Sequence, residues 1–129
     1  MIDIKELRIG NWVDFLGYPV QIIGISARIR PDVGYVEIPG YDHPHKGIHF
    51  KPIPLTGNWL CGFGWGYNER TNSYENQDAR MHLEHITRND SYRMFNYILK
   101  SLIADRIFYV HQLQNIHFCL TGQELTLKP

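Results

Sequence analysis

Apolar and polar residues alternate in short runs through the first half of the chain. Trp12-Val13-Asp14-Phe15 puts Val13 and Phe15 on one face and Trp12 and Asp14 on the other, the period-two mark of a strand. Leu16-Gly17-Tyr18-Pro19 is a turn signal, and Val20-Gln21-Ile22-Ile23-Gly24-Ile25 is a second β run. Together they predict a hairpin, with Gly24 marking a bulge or sharp bend. Gly34-Tyr35-Val36-Glu37-Ile38 and Gly47-Ile48-His49-Phe50 continue the pattern until Pro52 and Pro54 stop it. Residues 7 to 50 are therefore expected to form a small SH3-like barrel of four short antiparallel strands.

The periodicity then changes. Leu55 to Gly64 predicts a short helix: Thr56 as N-cap, Trp59, Leu60 and Phe63 as the apolar side, Gly64 as the stop. Gly57 and Gly62 each cost about 1 kcal/mol relative to alanine in a helix interior, so one or two turns are expected. Residues 65 to 79 read as a loop or frayed hairpin. Met81, Leu83 and His85 alternate with His82, Glu84 and Ile86 as in a strand. Between Tyr92 and Leu102 two patterns compete. Met94, Ile98 and Leu102 fall at helical spacing, whereas the aromatic and β-branched content favours strands, and strands are preferred. From about His111, the residues Leu113, Ile116, His117 and Leu120 share one helical face, and Gly122 ends it. The fold expected is α+β over a single domain, residues 1–129. Residues 1–54 would supply the SH3-like barrel, and residues 55–129 a helix, further antiparallel strands and a C-terminal helix packed on the sheet.

Three segments carry a resemblance: Leu7-Arg8-Ile9-Gly10-Asn11, Pro52-Ile53-Pro54-Leu55-Thr56, and Tyr109-Val110-His111-Gln112-Leu113-Gln114-Asn115 running on to Leu120-Thr121-Gly122. With these the chain resembles an uncharacterised family of small bacterial and phage proteins that read roughly LRIGN … PIPLT..WL..FGF … YVHQLQN..F.LTGEEL. The resemblance implies an architecture, strands leading into Tyr109-Val110, and a setting among phage or mobile-element accessory proteins. It brings no activity. Gly57 and Asn58 depart from it, since acidic helix formers are expected there.

Composition narrows the function classes. Thirteen Lys and Arg balance thirteen Asp and Glu in 129 residues, so extended nucleic-acid binding, which needs a basic surplus, is not expected. Arg28 and Arg30 leave room for a local basic patch. No apolar run reaches the length of a membrane span. Cys61 and Cys119, without a signal-peptide pattern at the start, point to free thiols in a reducing cytoplasm, with Cys119 a small buried hydrophobe.

Four constellations are candidates for chemistry. Asp42-His43-Pro44-His45 with His49 offers mixed N/O ligands for zinc, nickel or copper, though at no standard zinc spacing; a solvated loop is the plainer reading. His85-Ile86-Thr87 is one copy of a His-x-Thr strand element, where two-histidine phosphoesterases need two copies facing a cleft. His111, Gln112, Gln114 and Asn115 gather at a helix start, where they would bind a base or an anion, or else knit the helix to the β layer. Trp65, between Gly64 and Gly66, would be partly exposed and stack on a base or a partner, with Tyr67 beside it as a further candidate. No catalytic triad, paired catalytic carboxylates or cofactor fingerprint appears, and no cofactor is expected. The expectation is a non-enzymatic binding protein. Its partner would be itself as a homodimer, a host or phage protein, or a small nucleotide-type anion sequestered in evading host defence. The alternative is a small phosphodiesterase or metal-dependent hydrolase.

Overall fold

A computed structural model describes residues 2, 4–26, 34–41, 43–46, 49–76, 80–96 and 99–128. Two apolar clusters organise the chain. The first gathers Ile2, Leu7, Val13, Phe15, Ile22, Val36, Ile38 and Phe50. Strand β1 (Trp12–Phe15) buries Val13 and Phe15, as its alternation requires. It pairs antiparallel with β2 (Tyr18–Gln21) across Leu16 and Gly17, both at positive φ (54° and 92°). Paired positive φ values are how two-residue hairpin turns match strand twist. On its other edge β1 pairs with β6 (Phe50–Lys51), stacking Phe15 on Phe50 at 4.9 Å between ring centroids.

A second sheet holds β3 (Gly24–Ser26), β4 (Tyr35–Glu37) and β5 (His45–Lys46). The single run expected from Val20 to Ile25 is thus divided between two sheets. Gly24 opens the new strand, where a Cβ would lie 2.7 Å from a Glu37 carboxylate oxygen. Among the described residues no sheet closes into a barrel. Two open three-stranded sheets share one core instead, because the strands are short and Pro19, lacking an N–H, sits on edge strand β2. Arg28, Arg30, Asp42, Gly47, Ile48 and Ile98, used in the sequence reading, lie outside the described residues.

The second cluster, Ile53 to Leu125, packs a five-stranded sheet against two helices. Helix α1 (Gly57–Gly62) is capped as expected, Thr56 Oγ1 accepting from the Trp59 N–H at 3.5 Å. The sheet is an antiparallel meander: β7 (Gly66–Asn68), β8 (Ser73–Asn76), β9 (Met81–Ile86), β10 (Ser91–Asn96) and β11 (Leu102–Ile107). Residues 65–79 therefore contain a formed hairpin, and the strand reading after Tyr92 holds. Alternation sends Met81, Leu83, Tyr92 and Met94 into the core, while Glu75, His82, Glu84 and Phe95 take the other face.

Helix α2 (Val110–Thr121) ends at Gly122, whose φ is 72°. Its buried face differs from the apolar one expected. Leu120 is half exposed, and Gln114 is fully buried beside His111, Leu113 and His117. Cys119, expected inside, is exposed. The reason is that this helix packs against polypeptide backbone as well as against side chains. Its start is pinned to the Pro52–Thr56 segment: the Leu55 N–H donates to Phe108 O (2.8 Å) and the Val110 N–H to Ile53 O (2.9 Å). Among the described residues no helix is long and apolar enough to cross a membrane.

Candidate functional site

The polar residues of α2 build a seam with the N-terminal segment. Gln114 Oε1 accepts from the Trp12 N–H (2.8 Å) and its Nε2 donates to Gly10 O (2.9 Å). Gly10 reaches that position at φ +97°, a conformation costly for side-chain-bearing residues. Asn115 Oδ1 accepts from Asn11 Nδ2 (2.8 Å) and Arg8 Nε (2.9 Å), and its Nδ2 donates to Glu6 O (2.8 Å). Arg8 also pairs with Glu124 and lies 4.3 Å from the Phe118 ring centroid. Gln112 Oε1 accepts from the Phe108 and Tyr109 N–H groups, closing the helix start. The three segments that carried the resemblance thus converge on one half of α2.

His111 is 1% exposed, with Nε2 3.2 Å from Glu6 Oε2 and Nδ1 buried without a partner. Burial pushes its pKa down, opposed by the Glu6 hydrogen bond and charge. A groove of about 470 Å³ beside it is lined in part by Lys5, Glu6, Arg106, His111, Gln112 and Asn115. Of the predicted ligand residues, Gln114 and Asn115 have both amide oxygen and amide nitrogen bonded within the chain, and Gln112 has its amide oxygen bonded there.

Trp65, expected at the surface, is 1% exposed and belongs to the core; its indole is among the largest buried side chains. Tyr67, two residues on along the same face, is 49% exposed, because β7 is the edge strand of the sheet. Tyr67 borders an open cleft of about 720 Å³ lined by Gly64, Gly66, Asn68, Glu69, Arg70, Glu75 and Asn76. Its ring packs on Tyr74 at 5.1 Å, and its hydroxyl donates to Asn72. Glu69 and Glu75 outweigh Arg70, so this end is rich in acceptors. A second cleft, of about 450 Å³, meets it at Gly64 and Asn76 and runs to His117, Gln123, Glu124 and Lys128. His117, on α2, and Lys128, in the tail, carried no sequence signal for a shared site, because they meet Gly64 from 53 and 64 residues further along the chain.

The remaining histidines sit apart. His85 Nε2 lies 2.7 Å from Asp90 Oδ1 across the β9–β10 turn, and its ring packs on Tyr92 at 4.9 Å. Tyr92 is buried, and burial, then the charges of Tyr74 and Asp90, push its pKa up to about 12, so it stays a neutral phenol. Thr87 is exposed in the turn. His43 and His45 lie ring against ring at 4.9 Å, with His45 against Phe15 and Tyr41, while His49 is exposed. Among the described residues no three His, Cys, Asp or Glu side chains gather to hold a metal ion. No family model matches this chain, and neither a curated protein nor a solved structure does.

Proposed function

We propose that this chain is a small non-enzymatic binding protein that holds a nucleotide-type ligand in the cleft beside Tyr67. The observation that carries the reading is that cleft: a half-exposed tyrosine ring, bare backbone at Gly66, and two carboxylates against one arginine around it. An aromatic face suits a base of any identity, and glycine backbone lets a flat ring approach closely. The carboxylates of Glu69 and Glu75 suit the amino and imino N–H groups of a base edge. The N-terminal unit, two open sheets around one core, serves as an opened SH3-like scaffold. The setting we infer is a phage or mobile-element accessory protein, cytoplasmic, which withdraws a signalling nucleotide from host defence.

A second reading, docking of a host protein or a second copy of the chain, is favoured by Leu16 and Tyr18, about 70% exposed at the β1–β2 tip. A hydrolytic alternative would use His85, oriented by Asp90. Calorimetry with a panel of nucleosides and nucleotides, followed by chromatography of the recovered ligand, separates the three. The binding reading expects ligand returned unchanged and affinity lost in Tyr67→Ala without a fall in Tm. Conversion of the ligand, abolished in His85→Ala, would establish an enzyme. Silence toward every small molecule would leave protein docking.

A further inference from the structure

The cleft joined to Tyr67 at Gly64 and Asn76 contains an imidazole with one nitrogen fixed and one unengaged. His117 is 6% exposed. Its Nδ1–H donates to Gln123 O at 2.9 Å, which fixes the tautomer and leaves Nε2 as the free nitrogen. No hydrogen bond to Nε2 forms among the described residues, and it is not sealed off as His45 Nε2 and His111 Nδ1 are. His117 lines the cleft, so this nitrogen is the polar edge offered to it. Lys128 lies along the same wall, over Gly64: a Cβ at residue 64 would come within 2.8 Å of Lys128 Cε, and φ there is +90°. The Lys128 ammonium has no ion pair among the described residues.

We propose that His117 and Lys128 form an anion subsite that takes the phosphate or carboxylate end of the ligand whose flat end rests on Tyr67. The assignment of the flat end rests on the function proposed above; the subsite itself does not. Charge sorts the two ends. Glu69 and Glu75 make the Tyr67 end unfavourable for an anion. Among the described residues that line the second cleft the one carboxylate, Glu124, is already paired with Arg8.

His117 must carry a proton to donate to an anion. Burial pushes its pKa down, against the opposing Gln123 bond and Glu124 charge. The groups facing it are Glu124 and Lys128 of the tail, with Arg8 behind Glu124. The free protein therefore holds His117 neutral near pH 7, and anion binding draws in one proton. Affinity rises as pH falls toward the pKa of free His117, and levels off below it.

The test uses three probes: inorganic phosphate, adenosine and adenosine monophosphate. Imidazole NMR follows His117 while calorimetry measures affinity at pH 6 and pH 8. Phosphate should raise the His117 pKa. The monophosphate should bind about tenfold tighter than adenosine, the scale of one charge-assisted hydrogen bond. Lys128→Met and His117→Asn, whose amide nitrogen can keep the bond to Gln123 O, should erase that advantage. An unmoved His117 titration, or equal affinity for adenosine and its monophosphate, overturns the subsite while leaving the Tyr67 reading intact. Phosphate that moves His117 where no nucleoside binds upholds the subsite and removes the Tyr67 reading. Lys128→Met is exposed and leaves folding untouched, so it decides the matter even if His117→Asn unfolds.

Discussion

The seam along α2 and the groove from Tyr67 to His117 are made of the same residue types, amides, imidazoles and an occasional cation. They differ in whether those groups already have partners. In the seam, both ends of Gln114 and of Asn115 are bonded within the chain. In the groove, His117 Nε2, Lys128 and the Tyr67 face are open. A polar side chain with satisfied neighbours stabilises a fold; one left open at a cleft is a candidate for binding. His111 and His117, on one helix, each keep one nitrogen without a hydrogen bond among the described residues: that of His111 is sealed inside, whereas His117 lines the cleft.

That comparison can be broken or sharpened by substitution. The largest effect belongs to the chain neighbours Trp65 and Tyr67. Trp65→Ala should cost about 3–5 kcal/mol, the range for a buried large aromatic, read as a lower Tm; an unchanged Tm would return Trp65 to the surface. Gln114→Leu comes next, stranding the Trp12 N–H and Gly10 O at roughly 1–3 kcal/mol each. Urea denaturation should show most of that loss, partly offset at Gly10 because Gln21 Nε2 also donates to its carbonyl.

Arg8→Ala should cost about 1–2 kcal/mol, discounted because the Glu124 pair is about a third exposed. Acid follows. His111 and His117 both have pKa values pushed below their ordinary 6.5 by burial. The unfolded chain therefore binds these protons more tightly than the folded one. Their contribution is complete above pH 6.5 and is lost as pH falls from there toward the folded pKa values. Melting temperatures at pH 7.5 and 5.5 should show the decline, and His111→Gln should flatten it. Smallest of all, Tyr67→Ala and Lys128→Met should move stability by no more than about 0.5 kcal/mol while removing ligand affinity.

Local signals told the truth where local physics decides. Thr56 caps α1, the residues flanking Leu16-Gly17 pair as a hairpin, and Gly122 ends α2, each a matter of a few neighbouring dihedrals. Burial was legible only where one apolar face meets another. Trp65 between glycines looks like a loop residue, yet it is core because the five-stranded sheet closes over it. Leu120 and Gln114 exchange places relative to a hydrophobicity count because the surface facing α2 includes the backbone of Gly10 and Trp12, which rewards an amide. Cys119 is outside for the same reason. The groove was hidden because its two ends belong to the β7–β8 hairpin and to the C-terminal tail. His111, Gln112, Gln114 and Asn115 lie together at the helix start, but the sequence could not show that the partners of His111, Gln114 and Asn115 lie about a hundred residues earlier.

The same separation bears on how the molecule assembles. The hydrogen bonds from Gln114 and Asn115 to Gly10 and Glu6 close loops of 104 and 109 residues. Hairpins such as β9–β10 form within microseconds from adjacent residues, whereas these contacts carry the entropy of closing loops that span most of the chain. On the ribosome the segment from Glu6 to Trp12 is made first and must wait for α2 before its backbone is satisfied. The seam is therefore expected to set after the local hairpins, and with it the two apolar clusters join in one cooperative unit.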